Sequence, residues 1–216
     1  RPPRSTLSSS SAASDVYKRQ SEKDLLILVN EDDRKLGYTS KSECHEGEGK
    51  LHRAFSVFIF NSSGQLLIQK RSSNKELWDL HWSNSCCSHP RKNERTKTAA
   101  IRRLKEELGI VCKLHHIYKF IYHAQYKDVG SEHEFCHVFV GLFDGEIQAN
   151  PEEIDDWKFI KIDDLEKELS TSGENYTPWM RMEWRQLMSD GEWGYKAKVL
   201  YSLGLGWLYK LSLIHI

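Results

Sequence analysis

The sequence lacks an excess of charge of either sign, since its 216 residues carry 31 Lys and Arg against 31 Asp and Glu. Nucleic acids and anionic membrane surfaces attract proteins through a basic field, and this balance supplies none over the chain as a whole. A phosphate-bearing ligand would have to be bound by a local cluster of cations. The composition therefore disfavours a nucleic-acid-binding protein and is compatible with binding of a small anion.

Long apolar runs and the cysteine spacings of secreted domains are also missing. The first twenty residues are rich in serine but lack the apolar segment of a secretory signal, and the apolar stretch 203–216 is interrupted and too short to span a bilayer. The five cysteines, of which Cys86 and Cys87 are adjacent, do not form a spaced disulfide framework. These features predict a cytoplasmic protein with no membrane partner.

The ends of the chain differ in composition from its middle. Residues 21–190 are expected to form a single domain, because a chain of this length can bury a full core. We predict that residues 1–20 are a disordered or non-native leader, although a basic, serine-rich segment is also typical of an organelle transit peptide. Residues 191–216 are expected to be a C-terminal extension whose last residues are candidates for non-native sequence.

Alternating apolar runs and one amphipathic stretch predict an α/β fold with a mixed β-sheet flanked by helices. The expected strands lie at 24–29, 54–60, 65–70, 120–126, 135–143 and 157–162. Apolar residues recur at helical spacing over 96–108, and Gly109 follows where a C-terminal cap belongs. Asp163 and Thr177 are expected to cap two further helices.

Histidines and glutamates at three places in the sequence could bind a metal ion. Glu132 and Glu134 are two residues apart in a predicted strand, so both face one side, where their charges repel unless a cation or proton intervenes. His45 and His52 flank a glycine-rich loop, and His89 adds a third imidazole. This set suits octahedral Mn²⁺, Mg²⁺ or Zn²⁺. Solvent-exposed histidines beside a charged turn are the alternative interpretation.

Cys87 lies in the polar run Asn-Ser-Cys-Cys-Ser-His-Pro at 84–90, which predicts a turn with an accessible thiol of adjustable pKa. A thiol and a carboxylate near a cation can add a proton to one carbon and remove one from another. A buried structural cysteine is the alternative. A zinc-binding interaction module is another, although adjacent cysteines lack the usual two-residue gap. Its ligands would be Cys44, Cys86, Cys87 and His89.

The predicted helix over 96–108 presents Arg103 and Glu107 one turn apart. They form either a simple salt bridge or a site in which the carboxylate helps to hold Mg²⁺ beside an arginine that binds phosphate. Arg71 and Lys75, at the end of a predicted strand, would add donors for a small polyanion.

Two aromatic residues have either a core or a site role. Trp179 follows the expected start of the last helix, and Tyr122 lies in a predicted strand. A tryptophan face near a carbocation stabilises it by roughly 0.5–2 kcal/mol, and a phenol can relay a proton.

The order and spacing of these motifs resemble those of the type I isopentenyl diphosphate isomerases, members of the Nudix superfamily, over about residues 22–190. The resemblance is carried by His45 and His52 seven residues apart, Leu-His-Arg-Ala-Phe-Ser at 51–56, the cysteine run at 84–90, the helix end at 102–109, Glu-His-Glu at 132–134 and Thr-Pro-Trp-Met at 177–180. It implies a single Nudix-like domain.

The resemblance also implies a role for each candidate residue. Cys87 and Glu134 would be the opposed acid–base residues, Tyr122 would assist proton delivery near Glu134, and Trp179 would face the cationic intermediate. The metal site would be formed by His45, His52, His89, Glu132 and Glu134. Glu107 would help to bind Mg²⁺ carried by the diphosphate. The diphosphate itself would be contacted by Lys41, Arg71, Lys75 and Arg103.

The expected activity is therefore the reversible conversion of isopentenyl diphosphate to dimethylallyl diphosphate, a step of isoprenoid biosynthesis that needs no redox cofactor. A carbocation would form and would have to be kept from water. The expected partner is a small prenyl diphosphate, the expected cofactors are Mg²⁺ and a second divalent metal, and the expected assembly is a monomer or a weak homodimer.

The sequence departs from a hydrolytic Nudix box at two positions. Glu94, Arg102, Glu106, Glu107 and Gly109 are retained, whereas Ser88 and Arg103 replace the first glycine and the first helical glutamate. A cation in place of a carboxylate should favour retention of phosphate over attack by metal-bound water. A Nudix pyrophosphohydrolase acting on a nucleoside diphosphate derivative is therefore the second hypothesis.

One departure concerns the isomerase family itself. Asp79 and Leu80 stand where the family commonly has Pro-Gly, and they lack the fixed φ of proline and the backbone freedom of glycine. The substitution predicts a rebuilt backbone before the cysteine run.

Overall fold

A computed structural model describes residues 25–189, 198–199 and 202–204. The predicted leader and nearly all of the predicted C-terminal extension lie outside the described residues. The strands are β1 Leu26–Val29, β2 Lys35–Thr39, β3 His52–Phe60, β4 Leu66–Arg71, β5 Trp82–Ser83, β6 Cys86–Ser88, β7 Leu114–Tyr126, β8 Gly130–Leu142 and β9 Ile154–Ile160. The helices are α1 Lys41–His45, α2 Thr96–Leu108, α3 Ile162–Thr171, a 3₁₀ turn Gly173–Asn175 and α4 Pro178–Met188.

The β3 strand is the centre of a nine-stranded mixed sheet. It runs parallel to β8 over its whole length, from His52 opposite Glu134 to Phe60 opposite Leu142. It also pairs antiparallel with β1, β4 and β6, while β7 extends the sheet beyond β8 and β9 beyond β4. The predicted mixed α/β fold is confirmed.

Helices cover both faces of the sheet because side chains alternate along β3. Phe55, Val57 and Ile59 pack in one hydrophobic cluster with Leu104 and other apolar residues of α2. Phe58 and Phe60 pack on the opposite face in a second cluster, which includes Trp179, Met180, Trp184 and Leu187 of α4. Each fully buried side chain of this size contributes about 1.5–3 kcal/mol. His52 shares the α4 face with Phe58, and this places the functional residues there.

Helix α2 has the predicted bounds, and Gly109 ends it at φ 71° with its N–H bonded to the Lys105 carbonyl. The predicted capping by Asp163 is wrong, because Lys161 occupies the N-cap and Asp163 lies within the first turn of α3. Thr177 is the N-cap residue of α4, but its hydroxyl makes no capping bond. It lies instead 3.0 Å from the buried Ser83 Oγ.

Short elements in the N-terminal half were not expected from the sequence. His45 and His52 flank the glycine-rich loop as predicted, but His45 also ends helix α1, which begins with a capping box formed by Ser40 and Glu43. Cys87 does not lie in a turn but in strand β6, where it pairs with Ser56 of β3. Helix α1 and strand β6 were not predicted because contacts with the rest of the fold order segments that are too short to show a periodic pattern.

Among the helices of the described residues, none has the length and apolar character to cross a membrane.

Leu80 adopts a backbone conformation that glycine favours, with φ 54°. A left-handed conformation costs a residue with a side chain about 1–2 kcal/mol, and the Leu80 side chain is 44% exposed, so little packing would be lost on its removal. We expect Leu80→Gly to raise the free energy of unfolding by about 0.5–1 kcal/mol after the extra entropy of the unfolded chain is counted.

Urea unfolding of the wild type and the variant measures this change. Leu36→Gly is the matched control, since Leu36 is exposed in edge strand β2 and has no positive φ. It should destabilise the protein, and a destabilised Leu80→Gly variant would contradict the prediction. The predicted rebuilding of this backbone relative to the isomerase family stays a prediction.

Candidate active site

Five side chains from four places in the chain meet on the α4 face of the sheet. The group comprises His45, His52, His89, Glu132 and Glu134, whose potential ligand atoms all lie within 4.8 Å of one another. The parallel pairing of β3 and β8 sets His52 beside Glu134, and the two-residue spacing puts Glu132 on the same face. We call these five residues the His/Glu group. Their role as ligands stays a prediction.

Backbone carbonyls fix two of the imidazole rings. The Nδ1 atoms of His45 and His52 lie 2.7 Å from the carbonyl oxygens of Lys41 and Lys50. A ring that donates from Nδ1 keeps a lone pair on Nε2, which is the form that binds a metal. Burial and the neighbouring His45 lower the pKa of His52 to about 4, so the His52 ring is neutral near pH 7.

The His/Glu group contains buried polar atoms that lack partners within the described part of the chain. They are His45 Nε2, His52 Nε2 and Glu132 Oε2. His45 Nε2 and Glu132 Oε2 are 2.8 Å apart, an ion pair if the His45 ring is protonated and two facing acceptors if the ring is neutral. An unsatisfied buried polar atom costs about 1–3 kcal/mol, and a divalent cation would satisfy all three at once. The residues present therefore fit a metal ion.

Glu134 is the carboxyl of the group that retains its proton in the absence of a cation. Burial, and then the nearby charge of Glu132, raise the pKa of Glu134 well above its usual range. The Tyr122 hydroxyl donates a hydrogen bond of 2.7 Å to Glu134 Oε2, and His89 Nε2 lies 2.7 Å from Glu134 Oε1. Burial likewise raises the pKa of Tyr122. The Tyr122–Glu134 pair is thus a buried, hydrogen-bonded unit.

A cavity of about 660 Å³ joins the His/Glu group to the other predicted catalytic residues. Tyr122, Cys87, Trp179 and Lys41 all contribute to its lining. Trp179 is buried, and its indole N–H donates to Ser83 Oγ at 3.0 Å, which fixes the ring. Burial raises the pKa of Cys87 to about 12, so the thiol keeps its proton at neutral pH.

Arg71 lies between the thiol and the indole. Its guanidinium is 5.2 Å from the centre of the Trp179 ring, and one nitrogen is 3.9 Å from Cys87 Sγ. Its other nitrogens donate to the carbonyls of Leu77 and Trp78 at 2.9 Å each. Arg71 therefore fixes the segment before the cysteine strand as well as lining the cavity.

A cluster of two cations and two carboxylates adjoins the cavity, and three of its members, Lys75, Arg103 and Glu153, line it. Arg103 lies 2.7 Å from both Glu107 and Glu153, and Lys75 also pairs with Glu153. We call these four residues the ionic cluster. Glu107 is buried within it and is not part of the His/Glu group. Burial opposes the ionisation of Glu153, but hydrogen bonds from Arg103 and Lys75 lower its pKa to about 2.

Known proteins have the same fold, and some are similar in sequence over most of the length of this chain. The NUDIX domain family matches residues 50–180. "Isopentenyl-diphosphate Delta-isomerase 1" of Photorhabdus laumondii is 44% identical over 167 residues, covering 76% of this chain and 95% of the relative. "Isopentenyl-diphosphate Delta-isomerase" of Serratia proteamaculans is 46% identical over 156 residues, covering 72% and 87%. This chain belongs to the isopentenyl-diphosphate Delta-isomerase family.

Solved structures support the fold of this family member. A crystal structure of Deinococcus radiodurans DR0079 covers 74% of this chain and 97% of its own, with a TM-score of 0.62 at 22% identity. The MutT protein of Methanosarcina mazei covers 62% and 91%, with a TM-score of 0.52 at 18% identity. At these identities the likeness shows the Nudix fold alone, as predicted.

The Nudix box residues of this isomerase family member form ion pairs at the start and end of α2. Arg102 binds Glu94 through two nitrogens at 2.8 and 2.9 Å and also pairs with Glu106. Arg103, which replaces the first helical glutamate of the hydrolytic box, pairs with Glu107. Glu107, a glutamate that this chain shares with the hydrolytic box, is thus paired with an arginine.

The zinc module predicted as an alternative finds no support in the geometry. Cys44 and Cys86 are fully buried, and no cysteine joins the metal-capable group found in the described residues.

The sequence interpretation also missed two buried or half-buried carboxylates. Glu153 carries no motif, whereas Glu183 could have been found as a charged residue one turn after Trp179 on the apolar face of α4.

Proposed function

We propose that this chain catalyses the reversible isomerisation of isopentenyl diphosphate to dimethylallyl diphosphate in isoprenoid biosynthesis. The observation that carries the proposal is a single cavity that contains a buried carboxyl–phenol pair, a thiol, an indole and several cations. The family relationship supports the same activity, since the relatives are named for it.

The reaction moves one proton on and one proton off, with no transfer of electrons between molecules. Protonation of the terminal alkene carbon forms a tertiary carbocation, and loss of a proton from the neighbouring methylene forms the new double bond. We assign protonation of the alkene to Glu134, supported by its place in the cavity and by the hydrogen bond of 2.7 Å that its Oε2 accepts from the Tyr122 hydroxyl. Cys87 would accept the proton at the other carbon, and the roles reverse in the reverse reaction.

Cys87 can accept a proton only as the thiolate, so its S–H proton would first pass to solvent, and the proton that it takes from the methylene would return to Glu134 through solvent after each turnover. Burial disfavours the thiolate, and Arg71 is the cation next to the sulfur that opposes this effect. Trp179 would face the carbocation with its π system while its N–H stays bound to Ser83. The aromatic lining would keep water from the cation.

Two divalent ions belong to this proposal. At the His/Glu group, Mn²⁺, Mg²⁺ or Zn²⁺ would supply fixed positive charge that lets Glu132 and Glu134 lie close together. Mg²⁺ would arrive with the diphosphate, and Glu107 is proposed to bind it. The anion would be bound by Lys41, Arg71, Lys75 and Arg103. The cytoplasmic location and the monomeric or weakly dimeric state remain predictions from the sequence.

The test is an NMR time course with purified protein and isopentenyl diphosphate in D₂O. The protein is first treated with chelator, then supplied with Mg²⁺ alone or with Mg²⁺ and either Mn²⁺ or Zn²⁺. We expect dimethylallyl diphosphate carrying solvent deuterium, formed fastest when both metal sites can fill. Unchanged substrate with folded, metal-loaded protein would refute the proposal, and release of phosphate would instead support the Nudix hydrolase.

A further inference from the structure

Glu153 lies between Lys75 and Arg103, two of the four cations that the proposed function assigns to the diphosphate. Its carboxylate bridges Lys75 and Arg103, with Oε1 2.7 Å from the Arg103 guanidinium and Oε2 paired with the Lys75 ammonium. These partners are 78 and 50 residues away in sequence. The side chains of all three are only about one fifth exposed, so the contacts are partly shielded from solvent.

Backbone hydrogen bonds hold Glu153 in this position. The Ser72 N–H donates to the Glu153 carbonyl at 3.1 Å, and the Lys75 N–H donates to the Ser72 carbonyl at 3.1 Å. On the other side, the Asn150 N–H donates to the Glu107 carbonyl at 2.8 Å. The segments that carry the cations and the carboxylates are therefore tied to one another. This makes the arrangement a built part of the cavity wall.

The two cations of the ionic cluster have no surplus positive charge, because Arg103 also pairs with Glu106 at 2.9 Å, so that Lys75 and Arg103 face three carboxylates, those of Glu106, Glu107 and Glu153. A diphosphate without a metal would bring several negative charges against two carboxylates and would have to displace Glu153 from both cations. A diphosphate that already carries a divalent cation brings a smaller net charge and a positive centre that the carboxylates attract. The Arg103 Nε–H, buried and unpartnered among the described residues, is a further donor for such an anion.

We propose that Glu153 determines specificity in the ionic cluster, where it excludes metal-free polyanions and restricts binding to diphosphates complexed with a divalent cation. This inference rests on the proposed function, since it uses the cations that the proposal assigns to the diphosphate. The carboxylate acts on binding and takes no part in proton transfer.

Calorimetric titration with inorganic diphosphate tests the role of Glu153 without requiring turnover. Wild type, Glu153→Gln and Glu152→Gln are each titrated in EDTA and in Mg²⁺. Loss of one opposing charge next to the anion should tighten binding of the metal-free diphosphate to Glu153→Gln by about tenfold. The ratio of the dissociation constants measured without and with Mg²⁺ should therefore fall by a similar factor.

Glu152→Gln is the matched control, because Glu152 is the exposed neighbour that also lines the cavity, while its recorded side-chain contact is with Asn74 at 3.5 Å and not with Lys75 or Arg103. Its ratio should equal that of the wild type. An unchanged or weakened metal-free affinity in Glu153→Gln would overturn the inference, as would equal shifts in both variants. Absence of diphosphate binding in every protein would overturn it too, and an active wild type in the D₂O assay would then leave the isomerase assignment standing.

Discussion

Replacement of Cys87 with alanine should lower kcat for the isomerisation by about 10³-fold, a typical loss when a positioned acid–base group is removed. Alanine cannot exchange a proton with the substrate, and within the described part of the chain no other thiol lines the cavity. The fold should persist, since only one partly buried sulfur is lost from β6 and its backbone pairing with β3 is retained. The NMR assay in D₂O measures the rate, and circular dichroism confirms the fold.

Cys112→Ala is the matched control for the thiol. Cys112 is a partly buried free cysteine that packs against the α2 cluster and does not line the cavity. Its removal should leave kcat within about twofold, as expected for a residue outside the site. A Cys87→Ala enzyme with a rate near that of the wild type would show that the thiol takes no part in the reaction.

Glu183→Gln should remove the decrease in the free energy of unfolding that the wild type shows as the pH rises from 4.5 to about 8. Glu183 is fully buried, its Oε1 accepts the Cys136 S–H at 3.3 Å, and its Oε2 has no hydrogen-bond partner in the described part of the chain. Burial raises its pKa from the ordinary 4.5 to about 8.

The direction of the pH effect follows from the protons bound in each state. Folded Glu183 keeps its proton up to about pH 8, whereas the unfolded residue releases it near pH 4.5. Its stabilising contribution is complete below pH 4.5 and is lost as the pH rises to about 8, at about 1.4 kcal/mol per pH unit. Glutamine never ionises. The stability of Glu183→Gln relative to the wild type should therefore improve by roughly 3–5 kcal/mol between pH 5 and pH 8.5.

Urea unfolding of both proteins at pH 5 and pH 8.5 gives this difference directly, because the titration of all other groups cancels between them. Glu166→Gln is the control, since Glu166 is an exposed glutamate of α3. It should show no such change with pH. A wild type and Glu183→Gln pair whose stability difference is the same at both pH values would mean that Glu183 is charged in the folded protein.

The elements predicted well from the sequence are those whose own residues determine them. Helix α2 has thirteen residues, with an apolar stripe along one face. A glycine that can take the left-handed conformation follows it, so both of its ends were predictable. Strands β5 and β6 have two and three residues, which is too short for any periodicity, and they exist because β3 and β4 provide partners. Helix α1 has five residues, also too few for a periodic pattern, although Ser40 and Glu43 of its capping box can be recognised in the sequence.

The site shows the same division. The members of the His/Glu group could be proposed because each lies in a recognisable motif, and the parallel register of β3 and β8 brings two of those motifs side by side. Glu153 could not be proposed, because its significance lies entirely in two partners on distant segments. The correct helix for His45 required the tertiary context that orders α1.

The pairing of His52 with Glu134 has a consequence for biosynthesis of the protein. These residues are opposite each other on adjacent strands, yet about half of the domain lies between them in the sequence. A chain emerging from the ribosome carries His45, His52 and His89 well before the two glutamates are translated. The complete set of predicted ligands is thus assembled only after β8 has paired with β3. A metal ion would therefore bind only to molecules in which the central sheet has formed.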